Sequence, residues 1–328
     1  MSHGLVDSFG RTVRYLRLSV TDRCNLRCTY CMAEDMTFLP KSKVLSLEEM
    51  TRVAEAFVAL GVQKIRLTGG EPLVRNGVVQ LASNIAKLTG LRELVMTTNG
   101  VLLGQHAADL RAAGVARLNI SIDSLRPERF SSLTRFGRLD DVLAGIEAAK
   151  LAGFERIKLN VVVLNGVNDD EVLSLTDYAV RNELDIAFIE EMPLGRISSA
   201  QRLSTALDNQ SVQQQLAAVY ALQPSSKHDP NAGPARNFQL ANTRTHVGFI
   251  SPMTNNFCAS CNRVRITAEG QLLLCLGNEH SLDLRAILRD NPDALEASII
   301  DAMQRKPERH EFDPKDITIM RHMSATGG

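Results

Sequence analysis

The sequence predicts an α/β fold in which six parallel strand–helix units form an open sheet or an incomplete barrel. Three observations predict it. Between about residues 13 and 192, short strand-like runs alternate with helical stretches, the order produced by right-handed parallel crossovers. Six units fall short of the eight in a full barrel. Several of the runs also alternate polar and apolar residues with a period of two, which sends the two kinds of side chain to opposite faces.

The runs are YLRLSV (15 to 20), KIRLT (64 to 68), ELVMTT (93 to 98), RLNISID (117 to 123), RIKLNVVVL (156 to 164) and DIAFIEEM (185 to 192). Between the first two, a helix from 46 to 60 opens with Ser46 and Glu49 at capping-box spacing and ends at Gly61. Arg17 and Ser19 share a face in the first run, Arg66 and Thr68 in the second, Asn119, Ser121 and Asp123 in the fourth, and Lys158 and Asn160 in the fifth. Strands covered on both sides read as continuous apolar runs, so this pattern leaves two readings. The strands are half exposed, or their polar faces converge on a cavity suited to a charged ligand. The stretch PSSKHDPNAGPARN (224 to 237) reads as a loop or domain joint. It supports a division into a partial barrel over 1–230 and a C-terminal region over 231–328.

Composition narrows the function. Lysine plus arginine (37) balances aspartate plus glutamate (37) in 328 residues, which argues against a nucleic-acid coat and makes any basic patch local. Aromatic residues are only 5%, too sparse for a stacking platform for single strands. The chain has 44% hydrophobic residues and a mean hydropathy of -0.08, as ordinary globular proteins do. It shows neither an apolar run of membrane-spanning length nor a signal-peptide pattern at its start. The expected location is the cytoplasm, with no membrane partner.

All six cysteines fall into two triplets, Cys24, Cys28 and Cys31 near the start and Cys258, Cys261 and Cys275 near the end. Structural disulfides are rare in a reducing compartment. Structural zinc closes its tetrahedron with four protein ligands, and neither group has a fourth cysteine or a histidine at finger spacing. A four-iron cluster held by three thiolates keeps one iron open to a small molecule. The bland alternative is small buried core residues, to which Cys275 in LLLCL is the better suited. The histidines, His106, His246 and His322 among them, show no ligand spacing and read as ordinary surface or core residues.

The first triplet lies in the loop after the first strand, where parallel sheets and barrels place their sites. Gly69-Gly70-Glu71-Pro72 follows the second, and its glycines allow close backbone approach to a ligand. If NRVRIT is extended, Cys261, Arg263 and Arg265 share one face. Arginine forks match phosphate oxygens, so this is a candidate polyphosphate site beside a cluster; the alternative is two solvated arginines.

The C-x3-C-x2-C loop with GGEP resembles the radical S-adenosylmethionine superfamily. Together with TTNG, SIDSL, the late C-x2-C-x13-C with NRVR and the terminal Gly327-Gly328, the sequence resembles the GTP 3′,8-cyclase family of molybdenum cofactor biosynthesis. The resemblance implies an incomplete (β/α)6 TIM-like barrel closed by a C-terminal region carrying a second iron–sulfur cluster. The implied cofactors are two 4Fe-4S clusters, held by Cys24, Cys28, Cys31 and by Cys258, Cys261, Cys275, and S-adenosylmethionine, contacted by Tyr30, Gly70, Ser121 and Met192. Arg17, Arg66, Thr97, Lys158, Arg263 and Arg265 would contact GTP, with Arg17, Arg263, Arg265, Gly327 and Gly328 serving catalysis. The implied reaction removes hydrogen from C3′ of the ribose and joins C3′ to C8 of guanine, which the second cluster would hold. It needs an electron donor such as flavodoxin or ferredoxin, and a cyclic pyranopterin monophosphate synthase to take the product. A monomer and a homodimer are both compatible with the sequence. Two rivals remain: a peptide-modifying maturase of the same superfamily, which usually carries more cysteines, and a non-catalytic zinc or RNA-binding module.

Overall fold

The computed structural model describes residues 4–195, 206–225, 230–313 and 315–327. The six expected strands are β1 (Tyr15–Ser19), β2 (Lys64–Thr68), β3 (Glu93–Thr98), β4 (Arg117–Ser121), β5 (Arg156–Val163) and β6 (Asp185–Glu190). β1, β4, β5 and β6 stop one or two residues before their apolar pattern does, where the chain bends into the loops that carry the chemistry. Helices alternate with them: α1 (Leu47–Ala59), α2 (Val78–Ala86), α3 (Leu103–Ala112), α4 (Pro127–Thr134), α5 (Leu139–Leu151) and α6 (Val172–Arg181).

The capping box of α1 forms as its spacing requires. Ser46 Oγ accepts from Glu49 N at 3.1 Å, and Glu49 Oε2 accepts from Ser46 N at 2.8 Å, satisfying two donors otherwise left open at a helix start. Gly61 then turns the chain at φ 98°, a conformation that favours glycine.

β1 to β6 pair in sequence order, all parallel. Further along come β7 (Leu222–Pro224), β8 (Arg236–Leu240), β9 (His246–Ile250), β10 (Arg263–Ile266), β11 (Gln271–Leu273) and β12 (Ser281–Asp283). The C-terminal part extends the sheet from both edges. β9 adds in parallel beside β6 and β10 in parallel beside β1, making an arc of eight parallel strands with an antiparallel hairpin at each end.

Burial follows the two-residue period. In β4 and β5, Leu118, Ile120, Leu159 and Val161 are buried in one apolar core with Leu16, Leu67 and Ile186 and with the helical Phe57, Ile85, Leu110 and Ile146. Each such side chain contributes about 1.5–3 kcal/mol when removed from water. The helices take the apolar face, leaving the opposite face for the site.

Candidate active site

The polar faces converge as one of the two readings required. They line a cavity of about 530 Å³ that includes Arg17, Arg66, Thr68, Asn119, Ser121, Asp123, Lys158 and Asn160, within the usual range for ligand sites. Tyr30, Gly70, Thr97, Met192, Arg263, Arg265 and all six cysteines line the same cavity. The two triplets, separated by more than two hundred residues of sequence, thus open onto one space.

Positive charge is concentrated there in a chain whose charges balance. Arg265, Arg17 and Arg66 are register partners across β10, β1 and β2, and parallel partners present side chains to the same face. Arg66 Nε donates to Tyr15 Oη at 2.5 Å, and its Nη1 donates to Thr97 Oγ1 at 2.9 Å. Burial raises the Tyr15 phenol, but Arg66, Arg17 and Lys64 outweigh it and bring it down to about 7. Burial lowers Arg17 to about 10, with Tyr15 opposing and Arg66 and Arg263 adding repulsion. Arg265 is pushed well below the usual arginine value by burial, then by Arg17 and Arg263. Lys158 falls to about 8, again chiefly through burial, which Asp185 partly offsets. Arg263 lies 5.0 Å from the Phe257 ring centre, and its Nε is buried without a hydrogen-bond acceptor. Desolvated like charges of this kind favour a polyanion. The two arginines of NRVR are half-buried and face the cavity, so the solvated reading does not hold.

The first triplet is held by its neighbours. Cys31 N donates to Cys28 O at 2.9 Å, while Arg27 N and Thr29 N donate to Thr134 O and Leu133 O at the end of α4. Burial pushes the Cys28 thiol well up, and its neighbours Cys31, Asp123 and Cys24 add to the shift. Among the described residues, no three His, Cys, Asp or Glu side chains converge as a single-ion site. The three thiols line one cavity, and the positively charged core of a multi-iron cluster would permit all three to ionise against the repulsion between thiolates. Tyr30 Oη donates to Asp123 Oδ2 at 2.6 Å, and Asp123 Oδ1 accepts from Val162 N at 2.8 Å, fixing the tyrosine over the sheet.

GGEP, whose glycines line the cavity, also serves the fold. A Cβ on Gly69 would stand 2.5 Å from Thr21 O, and one on Gly70 would stand 2.4 Å from Arg23 O. The close approach is to the backbone leading into Cys24. Gly70 N donates to Thr21 O and Glu71 N to Arg23 O, so the two loops are zipped together. The buried Glu71 carboxylate accepts from Leu73 N (3.0 Å), Thr98 Oγ1 (2.8 Å) and Asn99 N (2.6 Å). Burial pushes it up to about 7 against these three donors. Asn99 Nδ2 in turn donates to Asn25 Oδ1 at 2.7 Å. The TTNG loop is therefore a strut between Glu71 and the cysteine loop.

In the second triplet, Cys261 N donates to Cys258 O at 3.1 Å. Cys275 is half-buried and lines the cavity, so it is not a core residue. Burial raises the Cys261 thiol, but Lys306 and Arg263 outweigh it and lower it. The tail reaches the same place. Gly327, at φ 76°, has its Cα so close to Thr68 that a Cβ would stand 2.1 Å from Thr68 Cγ2. Its carbonyl accepts from Arg265 Nη1 at 2.5 Å and from Arg17 Nη2 at 3.4 Å. Gly328 lies outside the described residues.

Several lining residues escaped the sequence reading. Tyr15 and Lys64 are register partners at the start of β1 and β2, and Tyr15 shares the polar face of Arg17, a placement the period of two could have revealed. His246, read as ordinary, lines the cavity and stands 3.3 Å from Asp185, which also pairs with Arg156 at 2.6 Å.

Two family models match the chain, the Radical SAM superfamily over residues 18–179 and Molybdenum Cofactor Synthesis C over residues 184–312. A GTP 3′,8-cyclase of Pseudomonas entomophila is 58% identical over 329 residues, covering 99% of this chain and 98% of the relative. GTP 3′,8-cyclase 2 of Pseudomonas aeruginosa is 54% identical over 328 residues, covering 99% and 98%. Among solved structures, Streptococcus suis SuiB bound to S-adenosylmethionine superposes with a TM-score of 0.61 at 15% identity, over 88% of this chain and 68% of that one, a likeness of fold alone. On the strength of its near-full-length relatives, the chain belongs to the GTP 3′,8-cyclase family of radical SAM enzymes.

Proposed function

We propose that this protein is a GTP 3′,8-cyclase that converts GTP to (8S)-3′,8-cyclo-7,8-dihydroguanosine 5′-triphosphate, the first step of molybdopterin cofactor biosynthesis. The observation that carries the reading is the row Arg265, Arg17 and Arg66 on adjacent strands, in the cavity that both cysteine triplets line. Two 4Fe-4S clusters and S-adenosylmethionine, when bound, supply a 5′-deoxyadenosyl radical and an open iron for the guanine.

The chain's own residues bind and orient. Cys24, Cys28 and Cys31 hold the first cluster, and Cys258, Cys261 and Cys275 the second. Tyr30, Gly70, Ser121 and Met192 contact S-adenosylmethionine. Arg17, Arg66, Thr97, Lys158, Arg263 and Arg265 grip the triphosphate and ribose, with arginine forks meeting phosphate oxygens in pairs. Fixing ribose and guanine within reach of each other is catalysis by positioning. The Gly327 carbonyl orders Arg17 and Arg265, and Gly328 shares in the tail's catalytic role. An electron carrier such as flavodoxin or ferredoxin supplies electrons, a cyclic pyranopterin monophosphate synthase takes the product, and the setting is cytoplasmic. No described helix is long and apolar enough to cross a membrane.

The reading is tested by anaerobic reconstitution followed by incubation with GTP, S-adenosylmethionine and dithionite. About eight irons with matching sulfide per chain, 5′-deoxyadenosine and a cyclised nucleotide are expected. Zinc without iron, or iron without a nucleotide product, contradicts it.

A further inference from the structure

Lys306 is a buried cation that the proposed chemistry does not use. It is 2% exposed, and among the described residues no carboxylate stands within ion-pairing distance of it. Its Nζ donates to Leu274 O at 2.6 Å and stands 3.6 Å from Cys261 Sγ. One ammonium thus touches both parts of the second triplet, Cys261 directly and Cys275 through the carbonyl of the residue before it. Its segment is also fixed in place. Arg11 donates to Cys258 O at 2.9 Å and to Pro307 O and Glu308 O at 2.7 Å, while its Nε pairs with Asp7 at 2.6 Å.

A buried ammonium without a carboxylate is costly unless another negative charge faces it. Sulfur is the candidate on the page. A cluster with three thiolate ligands is anionic, and it becomes more so on reduction. A fixed positive charge in a low-dielectric setting favours the more negative state, and the charge and hydrogen bonds around cluster sulfurs set the reduction potential.

We propose that Lys306 is a positioning residue of the second cluster, its buried ammonium bridging Cys261 and the segment that leads into Cys275 and favouring the cluster's reduced state. The proposal rests on the two-cluster reading above. It assigns Lys306 a role distinct from a plain staple on Leu274 O, because a staple would not depend on charge.

The test is an anaerobic redox titration of the second cluster followed by electron paramagnetic resonance, in full-length protein whose Cys24, Cys28 and Cys31 are replaced by alanine so that the signal has one source. Iron and sulfide are measured alongside. Lys306→Met should lower the reduced-to-oxidised ratio at fixed potential about tenfold, a shift of about 59 mV to more negative values for one electron. Lys306→Arg, which keeps the charge, should stay near the parent potential. An unchanged potential in Lys306→Met with iron retained overturns the proposal. Should Lys306→Met lose its iron, Lys306→Arg decides: retention at the parent potential supports a charge role, and loss there as well overturns it. Absence of iron in the parent protein would instead refute the two-cluster reading.

Discussion

Arg17 and Arg265 face each other across the parallel ladder between β1 and β10 and share one acceptor, the carbonyl of Gly327. A neutral oxygen held between two desolvated guanidinium groups occupies the kind of place an anion's oxygen would take. The tail thus reaches the row of cations from the side of Thr68.

The first prediction follows from that contact. Gly327→Ala would set a Cβ 2.1 Å from Thr68 Cγ2 at φ 76°, so the tail must withdraw. Turnover should fall about tenfold or more while GTP affinity changes by less than about threefold, because ordering of the arginines is lost and their charge is not. Steady-state kinetics with calorimetric GTP binding separates the two. Unchanged cyclisation after removal of both terminal glycines would dismiss the tail's role.

Removing either partner of the tail should act differently. Arg17→Ala or Arg265→Ala deletes a charged donor worth about 1.5–3 kcal/mol, so GTP affinity should drop roughly ten- to hundredfold with loss of cyclisation. Cleavage of S-adenosylmethionine uncoupled from GTP should survive, since all three cysteines of the first triplet are left in place. Loss of both activities would indicate a folding defect instead.

These arginines show how much of the site was legible. Period-two alternation placed Arg17, Arg66, Asn119 and Lys158 on the cavity face because a strand's geometry leaves side chains only two directions. The same rule covers Tyr15, but an aromatic residue in a strand reads as core until its hydroxyl is seen against Arg66. Pairing between β10 and β1 leaves no local mark in sequence, because parallel register is set by packing between segments far apart in the chain. Lys306 was silent for a similar reason. A lysine 45 residues beyond Cys261 has no spacing rule that ties it to a thiol.

If Lys158 meets the triphosphate as proposed, GTP binding should depend on pH. Burial lowers it from 10.5 to about 8, so between those values the folded state binds fewer protons than the unfolded one. Its penalty on folding is full below about pH 8 and is relieved as pH rises toward 10.5. A bound triphosphate restores the charge. GTP binding near pH 8 should therefore take up a fraction of a proton and weaken as pH rises further. Calorimetry in buffers of different ionisation enthalpy should show this uptake reduced in Lys158→Met; equal uptake in both proteins would rule Lys158 out as its source.

Glu71 ties its own loop to the TTNG loop through one buried carboxylate with three donors. Glu71→Ala leaves those donors without their acceptor, at a cost of about 3 kcal/mol. Denaturant unfolding of the metal-free protein should show a free energy of unfolding lower by that order. An unfolding free energy within about 0.5 kcal/mol of the parent, the range of a neutral surface change, would mean that water replaces the carboxylate fully and that the strut is not structural.

The most direct measurement uses GTP deuterated at C3′ with the reconstituted protein, S-adenosylmethionine and dithionite. Deuterium should appear in 5′-deoxyadenosine alongside a cyclised nucleotide, because the proposed reaction removes hydrogen from C3′ of a ribose bound in the cavity that the first triplet and the arginine row both line. Formation of 5′-deoxyadenosine without deuterium, or of no cyclised nucleotide from protein with both clusters filled, would contradict that placement.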